Sequence, residues 1–83
     1  MQIEHDIDTL IERLQQGEVR FCFMKIGGEL REARGTLNLS LIPSSDWPKG
    51  KRKPSPKVLT FWDTDKMAWR CLRRERLAAI FIE

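Results

Sequence analysis

Cations are the residues whose number and spacing in this chain point to chemistry. Ten Lys and Arg stand against three acids within residues 49–76, a surplus of seven positive charges, whereas residues 1–48 hold five against eight. The run Lys49, Lys51, Arg52, Lys53 and Lys57 is followed by Arg70, Arg73, Arg74 and Arg76. Such groups, brought to one face, attract phosphates by releasing condensed counterions, an effect that ignores sequence and weakens steeply with salt. Trp47 adjoins the run, between Asp46 and Pro48. Its indole can stack on a nucleobase, which is worth about 1–3 kcal/mol per base, or it can pin the loop onto the rest of the chain. The expected anion-binding set is therefore Lys49, Lys51, Arg52, Lys53, Lys57, Arg70, Arg73 and Arg74, with Trp47 as a stacking group. The plainer reading of the same residues is a solvated basic loop beside a mixed-charge strand.

Other chemistry finds little to work with. His5 stands next to Asp6 with no second histidine and no nucleophile motif, and general-base catalysis needs such partners. Asp63 and Asp65 fall in a polar stretch where carboxylates bond local amides rather than act as an acid pair. Two carboxylates are too few for a cation site. Gly27-Gly28 is too short to cradle a phosphate and suits a hairpin turn. Cys22 and Cys71 lack metal-ligand spacing and read as buried thiols in apolar strands. No enzyme activity, metal or cofactor is expected.

The elements that must position the cations follow from periodicity. Ile3, Ile7, Leu10, Ile11 and Leu14 recur at helical spacing, so a helix is expected over about 3–16, stopped by Gly17 in a left-handed conformation. From Glu18 to Ile26 the period becomes two, with Val19, Phe21 and Phe23 on one face. Gly27-Gly28 then reads as a two-residue primed turn, and a return strand runs from about Glu29 to Leu39. Gly35 inside it marks a bulge or a corner. Residues 43–57 hold all four prolines and form a long loop. Val58–Trp62 and Met67–Leu72 make a second hairpin about a polar turn. Residues 73–77 form a short helical turn, and Ala78–Ile82 a last strand, taken as the exposed edge. Trp62 and Trp69 read as packing residues. The result is a mostly β fold with one N-terminal α-helix and about five antiparallel strands, closed into a small half-open barrel.

With 83 residues, 41% hydrophobic and 33% charged, the chain is expected to be one domain over 1–83. Apolar runs fall short of the roughly 20 residues of a membrane helix, and early acids at Glu4, Asp6 and Asp8 are unlike a secretory signal. The cytoplasm is the expected location.

The stretch Arg31-Glu32-Ala33-Arg34-Gly35-Thr36-Leu37-Asn38, then Leu41-Ile42-Pro43, Phe61-Trp62-Asp63 and Ala68-Trp69-Arg70-Cys71-Leu72, resembles a WYL-related family of small SH3-like or Sm-like β-barrels from phages and Bacteroidetes mobile elements. The likeness runs from about Ile7 to Ile82. It implies an SH3-like or Sm-like barrel without catalysis, and WYL domains proper are regarded as ligand-sensing regulators. The chain departs from them in having no Trp-Tyr-Leu tripeptide and no tyrosine, so no ligand site is carried over. The leading expectation is a module that binds nucleic acid or a nucleotide-like anion. Two alternatives stand beside it: a protein-interaction module acting on a host defence protein, and a small-ligand sensor with a concave pocket and converging arginines. A homo-oligomer is also expected from the thin core and open strand edges.

Overall fold

Asp6 sets where the helix begins. In the computed structural model, which describes residues 2–48 and 56–82, the Asp6 carboxylate accepts the Asp8 amide at 3.0 Å, giving one orphan donor of the first turn a partner. The helix α1 therefore spans Ile7–Gln16, and the expected start near residue 3 is too early. Gln2–Glu4 form instead a short strand, β1. The apolar stripe survives the shift, because Leu10 and Leu14 are fully buried and Ile7 and Ile11 pack against the core.

The helix ends for a reason other than the one expected. Gly17 has φ 178, extended backbone that any residue adopts, so no left-handed cap is formed. Carbonyls released by the last turn are met from across the fold. The Thr36 hydroxyl donates to the carbonyls of Leu14 at 3.1 Å and Gly17 at 2.9 Å. The Leu37 amide adds a bond to Leu14 at 2.8 Å, and the Asn38 side-chain amide donates to the Gln16 carbonyl at 3.1 Å.

The remaining strands are β2 (Val19–Met24), β3 (Leu30–Thr36), β4 (Val58–Asp63), β5 (Ala68–Arg73) and β6 (Leu77–Ile82). All pair antiparallel in one sheet of order β1-β6-β2-β3-β4-β5. The last strand is consequently not an edge. Gln2↔Ile82 and Glu4↔Ile80 pairing covers it, which leaves β1 and β5 as the outer strands. A register shift opposite Cys22 and Phe23 skips Ala78, and the Ala78 carbonyl accepts a hydrogen bond from His5 Nδ1 at 2.7 Å.

The first hairpin also differs from expectation. Lys25 donates to the Glu29 carbonyl at 2.7 Å and Gly28 to the Lys25 carbonyl at 2.9 Å, so the loop has three residues and ends on Gly28 at φ 89. That is the bulged three-residue turn rather than the two-residue primed one. Gly35 does form the expected corner. It pairs with Val19 on β2 and Asp63 on β4, and a Cβ there would press into the Phe61 ring.

Val19, Phe21, Ala33, Leu59, Phe61, Leu72 and Ile80 form the core beneath α1, with the Phe21 and Phe61 rings edge to face at 5.1 Å. Trp62, 1% exposed, stands outside this cluster and meets Trp69 edge to face at 5.6 Å. The Trp69 indole N–H donates to the Asp46 carbonyl at 2.6 Å, drawing in a segment that carries 3-10 turns at Leu39–Leu41 and Ser44–Asp46. The thiols depart from expectation, since Cys22 is half-buried and Cys71 exposed, both unbridged. Cys22 alternates with the inward-facing Phe21 and Phe23, and Cys71 with Leu72. Among the described residues, no helix is long and apolar enough to cross a membrane.

Candidate anion-binding site

Two antiparallel hairpins that diverge beyond the Gly35 corner leave a cleft of about 550 Å³ between them. Its apolar wall comes from Phe23 and Met24 of β2, Val58 of β4 and Leu72 of β5. Its charged lining is entirely cationic: Lys25 from the turn, Arg31 from β3, Arg70 and Arg73 from β5, and Arg76 from the 3-10 turn Arg74–Arg76. Register explains Arg31. It pairs with Phe23, two residues along from the Phe21–Ala33 pair, and thus shares the core-facing parity with Phe21 and Ala33. Arg70 pairs with Phe61 in the same way.

These cations differ in how far they are already engaged. The Arg76 guanidinium donates to the Lys25 carbonyl at 3.1 Å, which ties the 3-10 turn to the first hairpin. Its Nε is buried without an acceptor among the described residues. Arg73 meets Glu75 at 3.8 Å with both side chains well exposed, a pairing worth little in water. Arg31 and Arg70 have no carboxylate partner among the described residues. The arginines on the outer face of the sheet contrast with this, for Arg20 lies 3.4 Å from Glu32 and over the Phe81 ring at 4.9 Å, and Arg34 lies 3.9 Å from Glu18.

A second cleft, of about 390 Å³, is lined by Pro56, Lys57, Arg73, Arg74 and Glu75. The Arg74 amide donates to the Lys57 carbonyl at 2.9 Å, which holds the end of the basic loop against the end of β5. The Arg74 Nε is likewise buried without an acceptor among the described residues. Arg73 belongs to both clefts and joins their cationic linings, with Glu75 as the one acid among them.

Of the residues singled out from the sequence, Arg70 and Arg73 line the larger cleft and Lys57, Arg73 and Arg74 the smaller. Lys49, Lys51, Arg52 and Lys53 lie outside the described residues. Trp47 lines neither cleft, and its indole N–H donates to the carbonyls of Leu39 at 3.0 Å and Ile42 at 2.9 Å, although the residue stays 42% exposed. Sequence reasoning passed over Phe23, Lys25 and Arg31 as site residues, and counted Arg76 only for its charge. A signal for Arg31 was present, because Arg31, Ala33 and Gly35 share one strand face on which only the first is charged.

Groups weighed for catalysis are occupied structurally. Asp63 is buried and accepts the amides of Asp65 and Lys66, each at 3.0 Å, while His5 bonds to Ala78. No cluster suited to a metal ion occurs among the described residues. What the arrangement offers chemically is a concave surface with an apolar wall and guanidinium donors, which pair with phosphate or carboxylate oxygens in a planar fork.

No curated protein and no solved structure is similar enough to this chain to match it. A family model described as WYL_2, Sm-like SH3 beta-barrel fold, does match, over residues 7–78. That span runs from the first residue of α1 into β6 and takes in the Gly35-Thr36-Leu37-Asn38 tether, both hairpins and every described cation of the two clefts. The chain belongs to the WYL_2 family and has its Sm-like SH3 β-barrel fold.

Proposed function

We propose that this protein is a non-catalytic module that binds nucleic acid through phosphate contacts along the two clefts. One observation carries the reading: Arg73 stands in the wall shared by both clefts, so Lys57, Arg74, Arg73 and Arg70 form one track. Lys49, Lys51, Arg52 and Lys53 precede Lys57 in the sequence and add to the positive charge of that stretch. A nucleic-acid-binding role also suits the phage and mobile-element setting that the sequence resemblance implies. Phosphate contacts without base readout give affinity without sequence preference.

The test is a titration of a fluorescent single-stranded oligonucleotide at several salt concentrations. With the four described cations each neutralising one phosphate, log affinity falls against log salt with a slope of about −3, at roughly −0.7 per contact. A flat salt dependence, or no binding at low salt, defeats the reading. A partner that survives nuclease treatment in a pull-down, with no affinity for the oligonucleotide, favours the protein-interaction alternative instead.

A further inference from the structure

We propose that the larger cleft seats one nucleoside phosphate, with the phosphate on Arg31, Arg70 and Arg76 and the base against Phe23 and Leu72. The proposal rests on the nucleic-acid reading above and narrows it from a charged track to a defined subsite.

Three observations carry it. At about 550 Å³ the cleft falls within the roughly 300–1,000 Å³ of small-molecule sites, which combine an apolar lining with a few convergent polar groups. Its lining divides into an apolar wall and a cationic rim, whereas the smaller cleft offers Pro56 alone as an apolar residue. An inorganic anion needs only the rim, so the wall selects an anion with an apolar body. Last, one buried donor there, Arg76 Nε, has no acceptor among the described residues, and half-buried Arg31 has no carboxylate partner among them. Buried donors are satisfied in the great majority of proteins, and a guanidinium partly withdrawn from water, as those of Arg31 and Arg76 are, favours an anion beside it. A planar base suits this wall better than an alkyl chain does, because it can stack on the Phe23 ring and on guanidinium planes. A base held in a duplex stack cannot enter. The source is therefore either a free nucleotide or the terminal nucleotide of a single strand.

The experiment follows backbone amide resonances of the full chain while adding a nucleoside monophosphate, the matching nucleoside, ribose phosphate, and single strands with and without a terminal phosphate. The monophosphate is expected to shift Phe23, Arg31 and Leu72, and to bind about tenfold more tightly than either fragment, since each removes one half of the recognition. Arg31→Gln and Arg70→Gln each weaken it by roughly tenfold, while Arg34→Gln, on the outer sheet face, changes nothing. A terminally phosphorylated strand that binds more tightly than the free nucleotide, with the same three resonances shifted, identifies the strand end as the source; equal affinity identifies the free nucleotide. Ribose phosphate binding as tightly as the nucleotide overturns the proposal. So does a strand that shifts only the Lys57 and Arg74 region, and that result leaves the nucleic-acid reading standing. No binding by any ligand at low salt ends both.

Discussion

Thr36 shows how much one hydroxyl can hold. It is fully buried, donates to two carbonyls at the end of α1 and accepts the Asn38 amide at 3.0 Å. Replacing it with valine keeps the shape and removes every one of these bonds. Leaving buried polar groups unpaired costs about 1–3 kcal/mol, so Thr36→Val is expected to lower the urea midpoint with an unchanged slope. Thr36→Ser retains the hydroxyl and loses one methyl, for about 0.8 kcal/mol. Equal stability of the Val variant and the parent would show that the tether contributes nothing. Residue type alone carried no sign of this role, because a threonine beside a strand glycine reads as ordinary strand composition. Its partners are 19 and 22 residues away, a separation that local pattern cannot reveal.

Among the elements, β3 bears the geometry of the barrel. It pairs with β2 along its length, yet with β4 only at Gly35↔Asp63 and Thr36↔Trp62. The sheet turns at that handover, and Phe61 fills the space where a side chain on residue 35 would sit. Gly35→Ala is expected to destabilise by about 1–3 kcal/mol, as overpacking does. Gly27→Ala is the control: nothing lies within 4 Å of a Cβ there, and the change should stay within about 0.5 kcal/mol. Thermal unfolding of the two variants checks both, and equal melting temperatures would refute the close-approach account. The corner glycine, the strands and the second hairpin were legible because period-two alternation and turn residues are local signals. Strand β1 was not. Ile3 extends the helical spacing of Ile7, Leu10, Ile11 and Leu14, and only the Asp6 cap and the edge of β6 draw residues 2–4 out of the helix.

On the scale of the whole molecule, charge is divided by surface. Cations of the outer sheet face are matched by Glu32 and Glu18, while Arg31 and Arg70 of the larger cleft have no carboxylate partner among the described residues and share an apolar wall. The nucleic-acid reading predicts that the two groups behave differently. Arg73→Gln removes the residue common to both clefts and should reduce the salt slope by about 0.7. Arg34→Gln, paired with Glu18, should leave slope and affinity unchanged. Equal losses from the two variants would mean that net charge, and not the track, drives binding.

Amphipathic periods, turn residues and the surplus of cations beyond residue 48 are properties of neighbours in the chain, and from them alone came the helix, the hairpins, the mostly β barrel and the Arg70–Arg74 cluster. Folding decided which strand is an edge, where the thiols point, and that Arg31 from the acidic half of the chain lines the same cleft as Arg70 from the basic half. Those outcomes depend on strand order and register across long separations, where no short-range pattern operates.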